Sequence, residues 1–304
     1  MCTSLTFETK DFYCARNMDL DYHFGEKIII TPRNYQISFK REDALNRHYA
    51  MIGIGTVQDN YPLYAEAVNE KGLYVAALKF DAFYPDTSDT EILLAPYELI
   101  PWILGKCQSV KEAKKMLQKA DIVNIPFNEK TGVSPLHYHI ADRECSLTVE
   151  RSREGMKIYE NEVGILTNNP PFDFHIKSLD HQKHLTPHVP DKTAYGLGLG
   201  AYSLPGDFSS ASRFLKLAFL KKYTVCENDE KSSVQTLFRL MSQISVPKGS
   251  TLTADNKYHY TTYTCVINAT KKIYYYNTYE NLDIKTVVLK EESLDLKELI
   301  TKEM

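Results

Sequence analysis

Strand-like and helix-like stretches come in separate blocks along this chain, and that order limits its possible folds more than any other feature. Short apolar runs bounded by turn residues crowd the first half: 28–31, stopped by Pro32, then 49–57 and 73–80. A second set follows at 136–141, 146–150 and 163–167. Near the end, 258–268 and 272–279 flank a short turn and form a Tyr/Thr-rich hairpin. Four helices are expected. Ser109 and Glu112 make a capping box ahead of a helix that runs to Ala120, with Val110, Ala113, Leu117 and Ala120 on one face. The others are 96–104, bent or interrupted at Pro101, then 212–223 and 234–244. Blocks of this kind favour α+β over a doubly wound parallel sheet. No repeat, low-complexity tract or Pro/Gly/Ser-rich linker divides the 304 residues, so a single domain over 1–304 is expected.

Charge narrows the partners. The 39 acids and 36 Lys and Arg residues leave a net charge of −3, which argues against nucleic acid or an anionic membrane as the target. No stretch approaches the ~18 apolar residues that span a bilayer. The first eight residues lack the basic and apolar regions of a secretory signal, so a cytoplasmic location is expected. The six cysteines contain no C-x-x-C pair and read as reduced thiols, with Cys107, Cys145 and Cys265 as core residues. His137 and His139, two apart, share one face of a strand without a metal. Gly196, Gly198 and Gly200 lack the last glycine of a dinucleotide fingerprint and read as a loop. No metal or cofactor is expected.

Cys2 carries the chemistry. A small second residue permits removal of Met1, after which Cys2 holds a thiol and a free α-amine. An α-amine has a pKa near 7.7–8.0, so part of it is free base at neutral pH and can take the thiol proton. If 2–7 pairs with 12–17 as a hairpin, Arg16 and Asp19 return beside Cys2. A neighbouring Arg favours the thiolate, and a carboxylate can orient the amine.

Several ordered motifs then resemble the choloylglycine hydrolase family, which contains bile salt hydrolases and penicillin V acylases. They are Met1-Cys2-Thr3-Ser4, Ala15-Arg16-Asn17-Met18-Asp19, Leu166-Thr167-Asn168-Asn169-Pro170, Leu204-Pro205-Gly206-Asp207, Ser212-Arg213-Phe214 and Tyr274-Tyr275-Tyr276-Asn277-Thr278-Tyr279. Asp59-Asn60-Tyr61-Pro62 and 100–105 look more like the bile salt hydrolase branch. The resemblance covers nearly the whole chain. It implies a four-layer αββα sandwich of the N-terminal nucleophile hydrolase type, with Cys2 opening an inner strand. It also implies roles. Cys2 is nucleophile and base, Arg16 sits by the thiol, and Asp19 binds the α-amine. Asn168 gives a side-chain amide to the oxyanion hole, and Arg213 holds the charge network. The reaction implied is hydrolysis of a glycine- or taurine-conjugated bile salt through a thioester, with Met18, Tyr61 and Phe127 as candidates for the steroid wall. Penicillin V or another acyl amide, acyl transfer to an amine, and a binding role without catalysis remain as alternatives.

Two departures stand out. Lys79, in Ala77-Leu78-Lys79-Phe80, occupies the place of an Asn in the bile salt hydrolase pattern. Its backbone N–H can still serve an oxyanion hole, while its cation could lower the pKa of the Cys2 amine or attract an acidic leaving group. The segment between Pro170 and Leu204 is short beside the family's assembly extension. A homo-oligomer is still expected, though a tetramer is less well supported.

Overall fold

A computed structural model describes residues 1–189 and 199–304, so most of the glycine-rich segment 196–200 lies outside the described residues. Two antiparallel sheets fill the centre. The first runs in the order β12 (Ile165–Leu166), β1 (Cys2–Glu8), β2 (Phe12–Leu20), β13 (Tyr260–Asn268), β14 (Ile273–Thr278), β15 (Lys285–Val288). The second runs β11 (Gly155–Glu160), β10 (Ser146–Ser152), β9 (Leu136–Ala141), β6 (Tyr74–Lys79), β5 (Tyr61–Asn69), β4 (Met51–Gln58), β3 (Lys27–Thr31), β16 (Ile300–Glu303). A short parallel pair, β7 (Ile92–Leu94) and β8 (Ala120–Ile122), stands apart. The helices are α1 (Leu99–Lys106), α2 (Val110–Leu117), α3 (Phe172–His181), α4 (Ser210–Tyr223) and α5 (Glu230–Ser242).

The period-2 alternation of strand side chains builds the layers. On one face of the second sheet, Ile28, Ile30, Ile52, Ile54, Val68, Ala76 and Leu78 pack toward the first sheet. On the other face, Ile29, Met51, Ala67, Val75 and Ala77 meet Leu99, Trp102 and Ile103 of α1. Helix α4 lies against β1 and β12, and α5 against β2 and β13. The result is the expected αββα order.

Local chemistry explains the elements. Asp59 and Asn60 take positive φ, 49° and 57°, at the two-residue turn from β4 to β5. That is the mirror-image turn whose twist matches a hairpin. Pro101 does not interrupt its helix as expected. It is the third residue of α1, within the first turn, where an N–H has no intrahelical acceptor and its loss is harmless. A 3₁₀ turn, Pro96–Glu98, precedes it. Ser109 caps α2 as expected, but the Glu112 carboxylate accepts from Gln108 N, at 2.9 Å. Cys145 is exposed, contrary to the expectation of a core position. It sits in the turn between β9 and β10, where its N–H bonds the Asp142 side chain at 3.0 Å. Cys107 and Cys265 are buried.

Two irregularities break the regular pairing of the strands. Register slips once between β4 and β5, leaving Ala65 as an extra residue, and once between β2 and β13, leaving Thr262 as another. Strands β5 and β6 also pair only over Glu66–Val68 with Tyr74–Ala76. Beyond Ala76 they part, and the gap faces Cys2.

Candidate active site

Cys2 pairs with Met18 across the β1–β2 hairpin, which brings Arg16 and Asp19 back to the strand end as expected. Its thiol is buried, 3.5 Å from Arg16 Nη2 and 3.6 Å from Met18 Sδ. The Arg16 guanidinium fills the gap between β5 and β6. It donates to the carbonyl of Ala77 at 2.7 Å and to the carbonyl of Ala65, the bulge residue freed from its ladder. It also pairs with Glu66 Oε2 at 3.0 Å. Burial works against its charge, but Glu66 and the Cys2 side more than offset this and raise its pKa well above the ordinary arginine range.

A second cation grips the backbone. Arg213 on α4 donates to the Cys2 carbonyl at 2.6 Å, to Asn168 Oδ1 at 2.9 Å and to Thr3 Oγ1. It stands 4.0 Å from Asp19 Oδ2. Burial lowers the Arg213 pKa, partly countered by Asp19. Asp19 Oδ1 accepts from Thr261 Oγ1 at 2.6 Å, beside the second bulge. Its Oδ2 is buried and has no donor among the described residues.

Asn168 ties three strands' ends together. Its Oδ1 accepts from Cys2 N at 2.7 Å, and its Nδ2 donates to the Lys79 carbonyl at 2.7 Å. In an extended strand a residue's N–H and C=O leave on the same side, so the Lys79 N–H faces this space too. The second hydrogen of Asn168 Nδ2 has no partner among the described residues. The loop is pinned from behind: Ser210 Oγ bonds Asn168 N at 2.8 Å, and His137 Nε2 contacts the Thr167 carbonyl at 2.8 Å. His137 and His139 do share a strand, both buried, with His137 Nδ1 3.0 Å from Glu150.

Met1 occupies the front of the site. Its ammonium bonds the Asp19 carbonyl at 2.8 Å and meets His259 Nε2 at 2.9 Å. Burial lowers its pKa, and Lys79 adds a smaller push in the same direction. Sequence reasoning missed Glu66, His259, Thr261 and Ser210. Glu66 and Thr261 are polar residues in strands and look solvent-facing, His259 precedes β13 and Ser210 opens α4, and each is fixed by a partner distant in sequence. Of the candidate wall residues, Met18 touches the thiol, whereas Tyr61 and Phe127 form a separate group with Tyr97, with ring centres 5.1–5.8 Å apart. The Tyr61 hydroxyl is buried without a partner among the described residues. Lys79 is exposed and makes no ion pair among them. No group of three or more metal-binding side chains occurs among the described residues, and no helix of the structure is long and apolar enough to cross a membrane.

Comparison with known proteins fits this geometry. Residues 2–302 match the linear amide C–N hydrolases, choloylglycine hydrolase family. The bile salt hydrolase/transferase of Lactiplantibacillus plantarum is 40% identical over 311 residues, 99% of this chain and 96% of its own. That of Clostridium perfringens is 36% identical over 316 residues, with the same coverage. The structure superposes on a mutant of the conjugated bile acid hydrolase from Clostridium perfringens with a TM-score of 0.93 at 36% identity, covering 100% of this chain and 97% of that one. Penicillin V acylase from Agrobacterium tumefaciens shares the fold, with a TM-score of 0.81 at 20% identity over 99% and 90% of the two chains. A profile match over nearly the full length, joined to relatives this similar, places the chain in the choloylglycine hydrolase family, as a hydrolase of linear amide C–N bonds.

Proposed function

We propose that this enzyme cleaves the amide of glycine- or taurine-conjugated bile salts with Cys2 as nucleophile, once Met1 has been removed. The observation that carries this reading is the setting of Cys2. It lies at the head of an inner strand, its thiol against Arg16, its nitrogen on Asn168 and its carbonyl on Arg213. Relatives bearing the names bile salt hydrolase/transferase and conjugated bile acid hydrolase supply the substrate class.

In the mature chain the Cys2 nitrogen becomes an ammonium. Asn168 Oδ1 already accepts from it, and the unpartnered Asp19 Oδ2 is the acceptor waiting for a further hydrogen. As free amine it takes the thiol proton, and the sulfur attacks the acyl carbonyl. The oxyanion forms against Asn168 Nδ2 and the Lys79 N–H. The amine nitrogen takes a proton and leaves, and water then releases the acyl group from the thioester, restoring the thiol. Arg16 steadies the negative sulfur, and Arg213 holds Cys2 and Asn168 in register. The steroid lies on the apolar side, where Met18 is nearest the sulfur.

The test is Met1-free protein, verified by mass, incubated with taurocholate, glycocholate and penicillin V while released amine is followed. Release from the bile conjugates, reduced about 10⁴-fold or more in Cys2→Ala, is the expected result. Release from penicillin V alone would move the substrate to the smaller acyl group. Equal turnover by Cys2→Ala would exclude Cys2 as nucleophile.

A further inference from the structure

His137 and Glu150 form a buried pair that the reaction above leaves unused, although it borders both halves of the oxyanion hole. His137 lies on β9 and pairs with Leu78 of β6, the residue before Lys79. Its Nε2 faces the Thr167 carbonyl at 2.8 Å, and its Nδ1 faces Glu150 Oε1 at 3.0 Å. A carbonyl only accepts, so Nε2 carries a hydrogen. Whichever partner owns the proton between Nδ1 and Oε1, Nε2 stays a donor. Glu150 in turn accepts from the N–H of Phe172, the first residue of α3, at 3.0 Å. The pair therefore grips the chain at Thr167 and at Phe172, on either side of Asn168. The ring also stacks on Phe80, with centres 4.6 Å apart and planes 9° from parallel, and Phe80 directly follows Lys79. Ser210 and His175 hold the Asn168 main chain from α4 and α3, at 2.8 Å and 2.9 Å. His137 holds the same loop from the sheet that carries Lys79.

We propose that the His137–Glu150 pair is a positioning unit of the oxyanion hole, which fixes the Asn168 loop against the end of β6 so that Asn168 Nδ2 and the Lys79 N–H stand where one oxyanion spans both. The unit rests on the reading of Cys2 as an amidase nucleophile. His137 acts through Thr167 on one side and Phe80 on the other, and gives no hydrogen bond to the substrate itself. Glu150 fixes the ring's orientation and ties the far end of the loop. Donors stabilise a developing charge fully only when they are aimed before it appears, and a misplacement of about 1 Å can cost up to 10²-fold. The oxyanion exists only beyond the bound substrate, so the unit governs kcat and leaves KM alone.

The experiment compares two amide side chains in the Met1-free full-length chain. From the same backbone, a Gln nitrogen reaches the place of Nε2 and an Asn nitrogen that of Nδ1. His137→Gln thus keeps the donor to Thr167, whereas His137→Asn keeps only the contact with Glu150. Rates on taurocholate are taken per thiol titrated by alkylation, so that unfolded protein does not count. His137→Asn should lower kcat about tenfold at unchanged KM, and His137→Gln should stay within about threefold of the wild type. Equal kcat in the two variants, or a loss carried by KM, overturns the unit. Should His137→Asn not fold, His137→Phe, which keeps the stacking on Phe80 and loses both hydrogen bonds, takes its place. A crystal structure of the same variant gives a readout free of turnover. The contact of Asn168 Nδ2 with the Lys79 carbonyl, 2.7 Å in the present chain, should lengthen, and an Asn168 left in place overturns the unit as well. A wild type that releases no cholate defeats the bile salt reading instead, and this last readout then decides the unit alone.

Discussion

Three cations converge on Cys2, and their counter-charges differ. Arg16 has Glu66 at 3.0 Å, Arg213 has Asp19 at 4.0 Å, and exposed Lys79 has no acid among the described residues. The uncompensated charge therefore falls on the residue that departs from the family pattern. Its field already lowers the pKa of the amine at this end of the chain, behind the larger effect of burial. A cation disfavours an ammonium, so removing it raises the amine pKa. The free base then appears only at higher pH. Lys79→Asn should accordingly move the acid limb of the kcat/KM profile upward, and a limb that stays in place excludes this effect. Asn168 poses a harsher test. Its Nδ2 donates to the Lys79 carbonyl, and in the proposed mechanism it binds the oxyanion with the Lys79 N–H, so Asn168→Ala should cost roughly 10²–10³ in kcat. A loss below about threefold would remove it from the oxyanion hole. The residues around the thiol were legible because hairpin pairing follows from period 2 and short sequence separation. His259 and Thr261 were not, since only the fold brings β13 against β2.

At the scale of elements, the site depends on departures from regular strands. The bulge at Ala65 turns one carbonyl out of the ladder toward Arg16, and the next residue, Glu66, supplies the carboxylate. Glu66 is fully buried and also accepts from Tyr263 at 2.9 Å and from Tyr274. This strand escaped the sequence reading for a physical reason. Pro62 and Glu66 are poor residues for an inner strand, and they are tolerated because Pro62 sits at its start and Glu66 meets a cation 50 residues away in sequence. The helices α4 and α5 were legible apart from their first turns, which begin at Ser210 and Glu230 with caps from Ser209 and Asp229. Helix α3, short and mixed in polarity, was not. Removing Glu66 leaves Arg16 buried without its carboxylate partner, with two backbone carbonyls and the Cys2 and Met18 sulfurs beside it. Glu66→Ala should therefore lose about 3–5 kcal/mol in urea unfolding, as broken buried pairs do. A loss under 1 kcal/mol would mean that Arg16 finds water when the carboxylate goes.

The whole molecule is two sheets face to face, joined across their apolar core by buried polar contacts. Glu66 of the second sheet reaches Arg16, Tyr263 and Tyr274 of the first. His139 of the second reaches Ser4 of β1 at 2.8 Å, with its other nitrogen 2.8 Å from Ser146. Block order pointed to the α+β class and motif resemblance to the four-layer order, whereas these bridges were not legible, because a buried histidine and an exposed one look alike in a strand. They also make the fold sensitive to acid. Burial holds the His139 pKa at about 3, against 6.5 for a free imidazole. The folded state thus keeps this ring neutral while the unfolded chain binds a proton from pH 6.5 downward. Stability is intact above pH 6.5 and falls as pH drops toward 3, by up to about 5 kcal/mol from this group. Burial lowers His48 and His175 in the same direction, so their contributions add. Melting temperature measured from pH 7.5 to 4 should decline steadily below 6.5. In His139→Gln, which retains polar atoms without a titrating ring, the decline should be shallower even though the starting value is lower. A wild-type melting temperature flat to pH 4, or equal slopes in the two proteins, would show that His139 is not the ring that the acid must charge to part the sheets.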